Sequence, residues 1–314
     1  MPDELRLLVT GRDGQVARAL AERATGSSIV VTHLARPDLD LSKVDGLAAV
    51  VRDAIDRARP DAIVSAAAYT AVDLAEDDAA TARAVNAEAP GEIARAAGAA
   101  GLPILHLSTD YVFDGTLDRP YREDDPVAPL GVYGATKEAG ERAVRDATSD
   151  HVILRTAWVV SPFGRNFVKT MLKLADTRDE LSVVDDQRGC PTSAHDIAKA
   201  IVLVAGALNR GGPFGTFHMA AAGETTWAGL ARAVFEESRA LGGPTAHVTG
   251  IATHEYPTPA RRPANSRLDC ARLRTAFDVT MPPWRQSCAA IVRRLLSGDG
   301  AAPRPELALG KETA

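Results

Sequence analysis

The stretch Leu5-Arg6-Leu7-Leu8-Val9-Thr10-Gly11-Arg12-Asp13-Gly14-Gln15-Val16-Ala17 passes from an apolar run through two glycines into an amphipathic run. Leu5–Val9 reads as a buried strand and Gln15–Ala24 as a helix, with the glycines turning between them. That context is what a dinucleotide fingerprint requires. Gly11 permits the tight turn, and Gly14 lets backbone N–H groups approach a pyrophosphate at the helix N-terminus. Ala17 is small enough for close packing of helix on sheet. The pattern is Gly-x-x-Gly-x-x-Ala, not Gly-x-Gly-x-x-Gly, and an ordinary strand–turn–helix would use the same glycines. A ribose-reading acid belongs about 20 residues further on. Here Thr32-His33-Leu34-Ala35-Arg36 carries none before Asp38. Arg36 instead suits a 2′-phosphate, which favours NADPH and leaves NADH possible. The alternative for Arg36 is a surface arginine in a loop.

The same alternation continues outward. Ile29–Thr32, Ala62–Ser65, Ile104–Ser108 and Val152–Arg155 read as strands, and Val44–Arg59, Thr81–Ala100 and Lys137–Ala147 as helices. Near-continuous apolar strands between helices imply an α/β fold with a doubly wound parallel (Rossmann-type) sheet covered on both faces. The rhythm loosens after about residue 160. Asn166–Ala175, Ser193–Leu208, Trp227–Leu241 and Trp284–Leu296 look helical, and Leu181–Val184 and Gly215–Met219 look like strands. The expected organisation is a nucleotide-binding domain over 1–160 and a smaller α+β, mainly substrate-binding region over 161–296, with some exchange of chain between them. A mobile tail is expected over 297–314.

Bulk properties narrow the class. The chain has 314 residues, 46% hydrophobic and 25% charged, an ordinary globular balance. A net charge of −5 advertises no nucleic-acid surface. No run approaches the roughly 20 apolar residues of a membrane span, and Met1-Pro2-Asp3-Glu4 does not begin a signal peptide. Cys190, Cys270 and Cys288 are odd in number and far apart, which fits a reducing cytoplasm. The seven histidines show no zinc-ligand spacing, so no metal is expected.

Chemistry concentrates in three places. Three alanines, Ala66-Ala67-Ala68, follow the third strand and allow a flat ligand close to the backbone. Ser108 and Thr109 end the fourth, where open parallel sheets bind ligands. Either hydroxyl suits a carbonyl oxygen, or simply bonds its own backbone. Tyr133 and Lys137 are four residues apart and share a helical face. A cation about 5 Å from the phenol, at an effective dielectric of about 20, contributes roughly 3 kcal/mol. That lowers the tyrosine's pKa by about two units and makes it useful as a general acid or base.

Longer strings carry a resemblance. They are Ala66-Ala67-Ala68-Tyr69-Thr70-Ala71-Val72-Asp73, Ser108-Thr109-Asp110-Tyr111-Val112-Phe113-Asp114-Gly115 and Val132-Tyr133-Gly134-Ala135-Thr136-Lys137. Further on come Arg155-Thr156-Ala157-Trp158, Asp186-Gln187-Arg188-Gly189-Cys190-Pro191-Thr192 and Arg262-Pro263-Ala264-Asn265-Ser266-Arg267-Leu268. Together, collinear from about Leu5 to Leu296, they resemble the dTDP-4-dehydrorhamnose reductase family of the extended short-chain dehydrogenase/reductase superfamily. The resemblance implies hydride transfer from NADPH to C4 of a dTDP-4-keto-6-deoxyhexose, giving dTDP-L-rhamnose in the parent case. It implies Tyr133 as proton donor, Lys137 on the nicotinamide ribose and Thr109 on the sugar carbonyl. Gly14, Gln15 and Val16 would touch the pyrophosphate, Asp40 and Leu41 would flank the adenine, and Ala68, Tyr69 and Thr70 would lie along the cofactor. Asp110 and Trp158 would join Thr109 on the sugar nucleotide, and Asn265 and Ser266 would reach it from the smaller domain. Trp158 is equally well read as a core tryptophan.

There are departures and rivals. Cys190 stands where relatives often carry a small apolar residue, and reads as a buried hydrophobe. Some relatives are dimers bridged by Mg²⁺ through glutamates. The matching position here is near Ala19, beside Arg18, so the metal is not expected and the assembly is monomer or homodimer. Relatives also reduce other 4-keto sugars in antibiotic pathways, such as dihydrostreptose formation. The regulatory beta subunit of methionine adenosyltransferase, which binds NADP without a known reduction, is similar too. The intact Thr109, Tyr133 and Lys137 argue against that non-catalytic role.

Overall fold

The structure, a computed structural model, describes residues 4–298. All but Ser297 and Gly298 of the expected tail lies outside the described residues. Strand β1 (Leu5–Thr10) continues through helix α1 (Gln15–Ala24) to β2 (Ile29–Leu34), α2 (Leu47–Ala58) and β3 (Ala62–Ser65). Next come α3 (Ala89–Ala99), β4 (Ile104–Thr109), α4 (Val132–Ala147) and β5 (His151–Thr156). From beyond residue 160, α5 (Ala194–Leu208) and β6 (Gly215–His218) complete the layer structure. The six strands form one sheet in the order β6-β5-β4-β3-β1-β2, and every neighbouring pair is parallel. The doubly wound expectation therefore holds.

The apolar strands are explained by their two covered faces, since successive strand side chains point oppositely. Leu7 and Val9 face α1 and α5, whereas Leu8 faces α2 and α3. Val64, Leu105 and Leu154 pack on the first side, and Ile63, Ile104 and Ile153 on the second. Each fully buried side chain of this size contributes about 1.5–3 kcal/mol.

Two elements differ from expectation. Thr81–Ala100 is not one helix: Ala79–Arg83 leads into a π turn, Ala84–Glu88, before α3. The cause is Asn86, a fully buried amide inside the turn. Its Oδ1 accepts from the Tyr69 N–H at 2.8 Å, and its Nδ2 donates to the Tyr69 carbonyl at 3.1 Å and to Thr136 Oγ1 at 3.2 Å. In the smaller region Glu180–Val184 pairs in parallel with His247–Ile251, a strand whose five residues include Gly250 and carry little periodic signal. Helices Phe167–Ala175, Trp227–Ala240 and Trp284–Leu296 enclose that pair's own core.

Candidate active site

A cleft of about 700 Å³ opens beyond the carboxyl ends of β1, β3, β4 and β5. The strand order reverses between β1 and β3, which is where such sheets bind ligands. The glycine turn after β1 and the alanines after β3 form its floor. Gly11 has φ +85°, and a Cβ there would press on the Ala67 methyl at 3.1 Å. Nothing lies within 4 Å of the place a Cβ would take on Gly14. Bare backbone thus faces the cleft at the N-terminus of α1, the form a diphosphate needs. Arg36, Leu39 and Leu41 lie on the β2 side of the cleft, and Tyr133 and Lys137 on the β4 side. The cleft runs from Arg36 to Tyr133, with a volume that would admit a dinucleotide.

Tyr133 and Lys137 occupy the first two turns of α4. A Cβ on Gly134 would run into the Tyr111 carbonyl, so glycine is what lets α4 close on the Asp110–Val112 turn. Lys137 is 3% exposed, and its Nζ donates to the Leu107 carbonyl at 2.7 Å and lies 3.4 Å from His106 Nε2. Burial brings its pKa down to about 8, against the pull of Glu141. Burial and the neighbouring ammonium hold His106 neutral, far below its ordinary range. Burial pushes the Tyr133 phenol up to about 12; the Thr109 hydrogen bond opposes this and the Asp110 charge adds to it. The expected lowering by Lys137 is therefore corrected: the ammonium is drawn to the Leu107 carbonyl, and desolvation of the phenol dominates.

The two strand-end hydroxyls part company. Ser108 donates to Glu141 Oε1 at 2.6 Å, which removes it as a carbonyl holder. Arg155 grips the same carboxylate at 2.8 and 2.7 Å, and Arg145 adds a contact at 3.3 Å. Burial would raise Glu141, but Arg155 outweighs it and holds the carboxylate ionised. This network ties β4, β5 and α4 together behind the site. Thr109 receives the Tyr111 N–H at 3.2 Å and donates to Asp110 Oδ1 at 2.9 Å. Burial raises Asp110 to about 6, against hydrogen bonds from Ser266 and Thr109.

The family described as RmlD substrate binding domain matches residues 5–297. The dTDP-4-dehydrorhamnose reductase of Sinorhizobium fredii is 48% identical over 295 residues, covering 93% of this chain and 98% of its own. The chain belongs to the dTDP-4-dehydrorhamnose reductase family. A crystal structure of a family member from Clostridium acetobutylicum superimposes with a TM-score of 0.84 at 36% identity, covering 93% of this chain and all of that one. The Bacillus anthracis dTDP-4-dehydrorhamnose reductase, solved in complex with NADP, gives a TM-score of 0.85 at 30% identity, covering 93% of this chain and 99% of that one.

Against that family background, Gly11, Gly14, Gln15, Val16, Arg36 and Leu41 all line the cleft, as do Ala68, Thr70, Tyr133 and Lys137. Asp40 and Tyr69 are not part of its lining. Asp40 accepts from Ser42 Oγ at 2.7 Å and from Arg36 at 3.2 Å, and Tyr69 is held by Asn86. Ser266 is buried and is not part of the cleft lining. Asn265 is occupied elsewhere, its amide donating to Leu117 and Arg119 carbonyls at 2.6 and 2.8 Å. Trp158 is buried with a left-handed φ of +47° and stacks on Trp227 at 3.6 Å, within the smaller region's core. Cys190 is buried, its thiol pushed up to about 11 by desolvation.

The sequence reading missed several cleft residues. Thr156 ends β5 and Val159 follows it, and the strand-end rule would have found them. Gly164 and Arg165 come from the other half of the chain and carry no local signal. Nor did any motif point to His106, buried behind Lys137.

Proposed function

We propose that this protein reduces the C4 ketone of a dTDP-4-keto-6-deoxyhexose with NADPH, converting dTDP-4-dehydrorhamnose to dTDP-L-rhamnose. The observation that carries this reading is that Tyr133 and Lys137 line the same cleft as the glycine turn. Family relatives named for this activity support it, and the NADP complex of one supports the cofactor. The Gly11–Val16 turn would hold the cofactor's diphosphate, Leu41 and Arg36 its adenosine half, and Lys137 its nicotinamide ribose.

The bound cofactor supplies a hydride to C4 of the sugar. Tyr133 gives its proton to the ketone oxygen as charge develops there. A pKa of about 12 keeps the phenol protonated at every working pH, and an alkoxide is basic enough to take its proton. Lys137 stabilises the phenolate left behind. Thr109 would take part through its hydroxyl hydrogen, now on Asp110, which can turn to the ketone. Asp110 and Ser266 would contact the sugar.

The three cysteines are unpaired, which supports a reducing compartment such as the cytoplasm. No helix among the described residues is long and apolar enough to cross a membrane. Light scattering would separate the monomer from the homodimer. The function is tested by following NADPH absorbance with a panel of dTDP-4-keto sugars. Turnover of another sugar with dTDP-4-dehydrorhamnose ignored would reject the substrate, and binding of NADPH with no turnover of any would reject the enzyme. Tyr133→Phe should lower kcat by roughly 10²–10⁴ with NADPH affinity within about twofold, because the ring stays and only the hydroxyl is lost. Unimpaired turnover would remove Tyr133 as the acid.

A further inference from the structure

We propose that Arg165 closes over the cofactor's diphosphate from the opposite wall of the cleft, and that the Gln15 side chain holds it there. Gln15 was expected on the pyrophosphate itself, yet its amide is hydrogen-bonded to the 159–166 segment. Its Oε1 accepts from Ser161 Oγ at 2.7 Å and from Asn166 Nδ2 at 3.0 Å, and its Nε2 faces the Val159 carbonyl at 3.4 Å. The backbone of Gln15 remains to face an anion, with its amide oxygen turned to the loop. The side chain serves instead to fasten the 161–166 loop to the first turn of α1.

That loop is built to be rigid. The Phe163 N–H donates to Ser161 Oγ at 3.1 Å, and Asn166 Nδ2 donates to the Ser161 carbonyl at 2.7 Å. The Phe163 ring lies under the guanidiniums of Arg18 and Arg294, 4.4 and 5.1 Å from its centroid. Gly164 then turns with φ +58°, and a Cβ there would sit 3.6 Å from Gln15 Cγ. This delivers Arg165 to the cleft, exposed and with no ion pair among the described residues. The turn's own Arg12, by contrast, has Asp13 at 3.8 Å. A free guanidinium facing a helix N-terminus across a gap recognises a diphosphate from both sides.

The inference rests on the dinucleotide reading, and the test keeps the two apart. NADPH and NADH share the diphosphate but differ in the 2′-phosphate. Dissociation constants for both would be measured by fluorescence titration on the full chain, with no sugar present. Arg165→Gln is expected to weaken both cofactors about tenfold, equivalent to about 1.4 kcal/mol. Arg165 is exposed, so the change places no burden on folding. Gln15→Leu is expected to weaken both as well, but to add little in the Arg165→Gln background. Full additivity of the two would overturn the positioning role of Gln15. Equal affinity of wild type and Arg165→Gln, or a loss confined to NADPH, would overturn the clamp. A wild type that binds neither dinucleotide would remove the cofactor reading underneath it. A weaker dTDP affinity with cofactor binding intact would assign Arg165 to the sugar nucleotide and also overturn the proposal.

Discussion

Replacing Lys137 with methionine separates what its charge costs the fold from what it gives the site. The ammonium is 3% exposed and its pKa falls from 10.5 to about 8, chiefly through burial. A depressed lysine means that the unfolded chain binds more protons than the folded one, so stability rises with pH through that interval. At about 1.4 kcal/mol per unit, the shift costs the folded protein about 3 kcal/mol at pH 7. At pH 10 the folded-state amine is neutral and the unfolded one only partly charged, which leaves a cost of about 1 kcal/mol. Methionine keeps the stem's packing and removes the charge, but it strips the Leu107 carbonyl of its donor, a loss of about 1–3 kcal/mol.

The net change at one pH is therefore small and its sign uninformative. The change between two pH values is decisive, because the Leu107 contribution belongs to both. Urea unfolding of wild type and Lys137→Met at pH 7 and pH 10 should show the variant losing about 2 kcal/mol relative to wild type as pH rises. Activity should be lost at both. If the stability difference between the two proteins is the same at pH 7 and pH 10, Lys137 is not a strained cation and the reasoning fails.

Four further outcomes follow from named contacts. Arg36→Gln should weaken NADPH about tenfold and leave NADH within about twofold, because only the 2′-phosphate is read there; equal losses would return Arg36 to its pairing with Asp40. Glu141→Gln strands the buried Arg155 guanidinium and should cost about 3–5 kcal/mol in urea unfolding. In wild type the contribution of Glu141 should persist above the ordinary carboxylate range and fade as pH falls below it, since the folded-state pKa is lowered. Gly140→Ala would drive a methyl into the Asn86 carbonyl and should cost about 1–3 kcal/mol in the same assay.

Much of the architecture was legible because its signals are local. A strand such as Leu5–Thr10 announces itself through unbroken apolar residues, and the Gly11–Gly14 turn through its position between strand and helix. Tyr133 and Lys137 are singled out by their spacing, since one helical turn brings i and i+4 together, and their roles come from the family resemblance. What stayed hidden is set by long-range contact. Nothing near Asn86 shows that its amide will clamp Tyr69 and bend a helix into a π turn. Likewise Arg165 meets the glycine turn only because Gln15, 150 residues away, accepts two hydrogen bonds from its loop. The sign of the Tyr133 shift was also beyond the sequence, because it depends on desolvation, and desolvation is a property of the finished fold.

That sign bears on the direction of the chemistry. Lys137 next to an exposed phenol would favour the phenolate, a base suited to taking a proton from an alcohol. Here Lys137 spends its proton donors on the Leu107 carbonyl and His106, and the enclosed phenol stays neutral. A neutral phenol is an acid in waiting and a poor base, so the site at rest is set for reduction. The bond from Thr109 to Asp110 adds to this, because an ionised Asp110 near Tyr133 raises the phenol further. Lys137 then matters most after the proton has gone, when its ammonium, in the same cleft, can stabilise the phenolate.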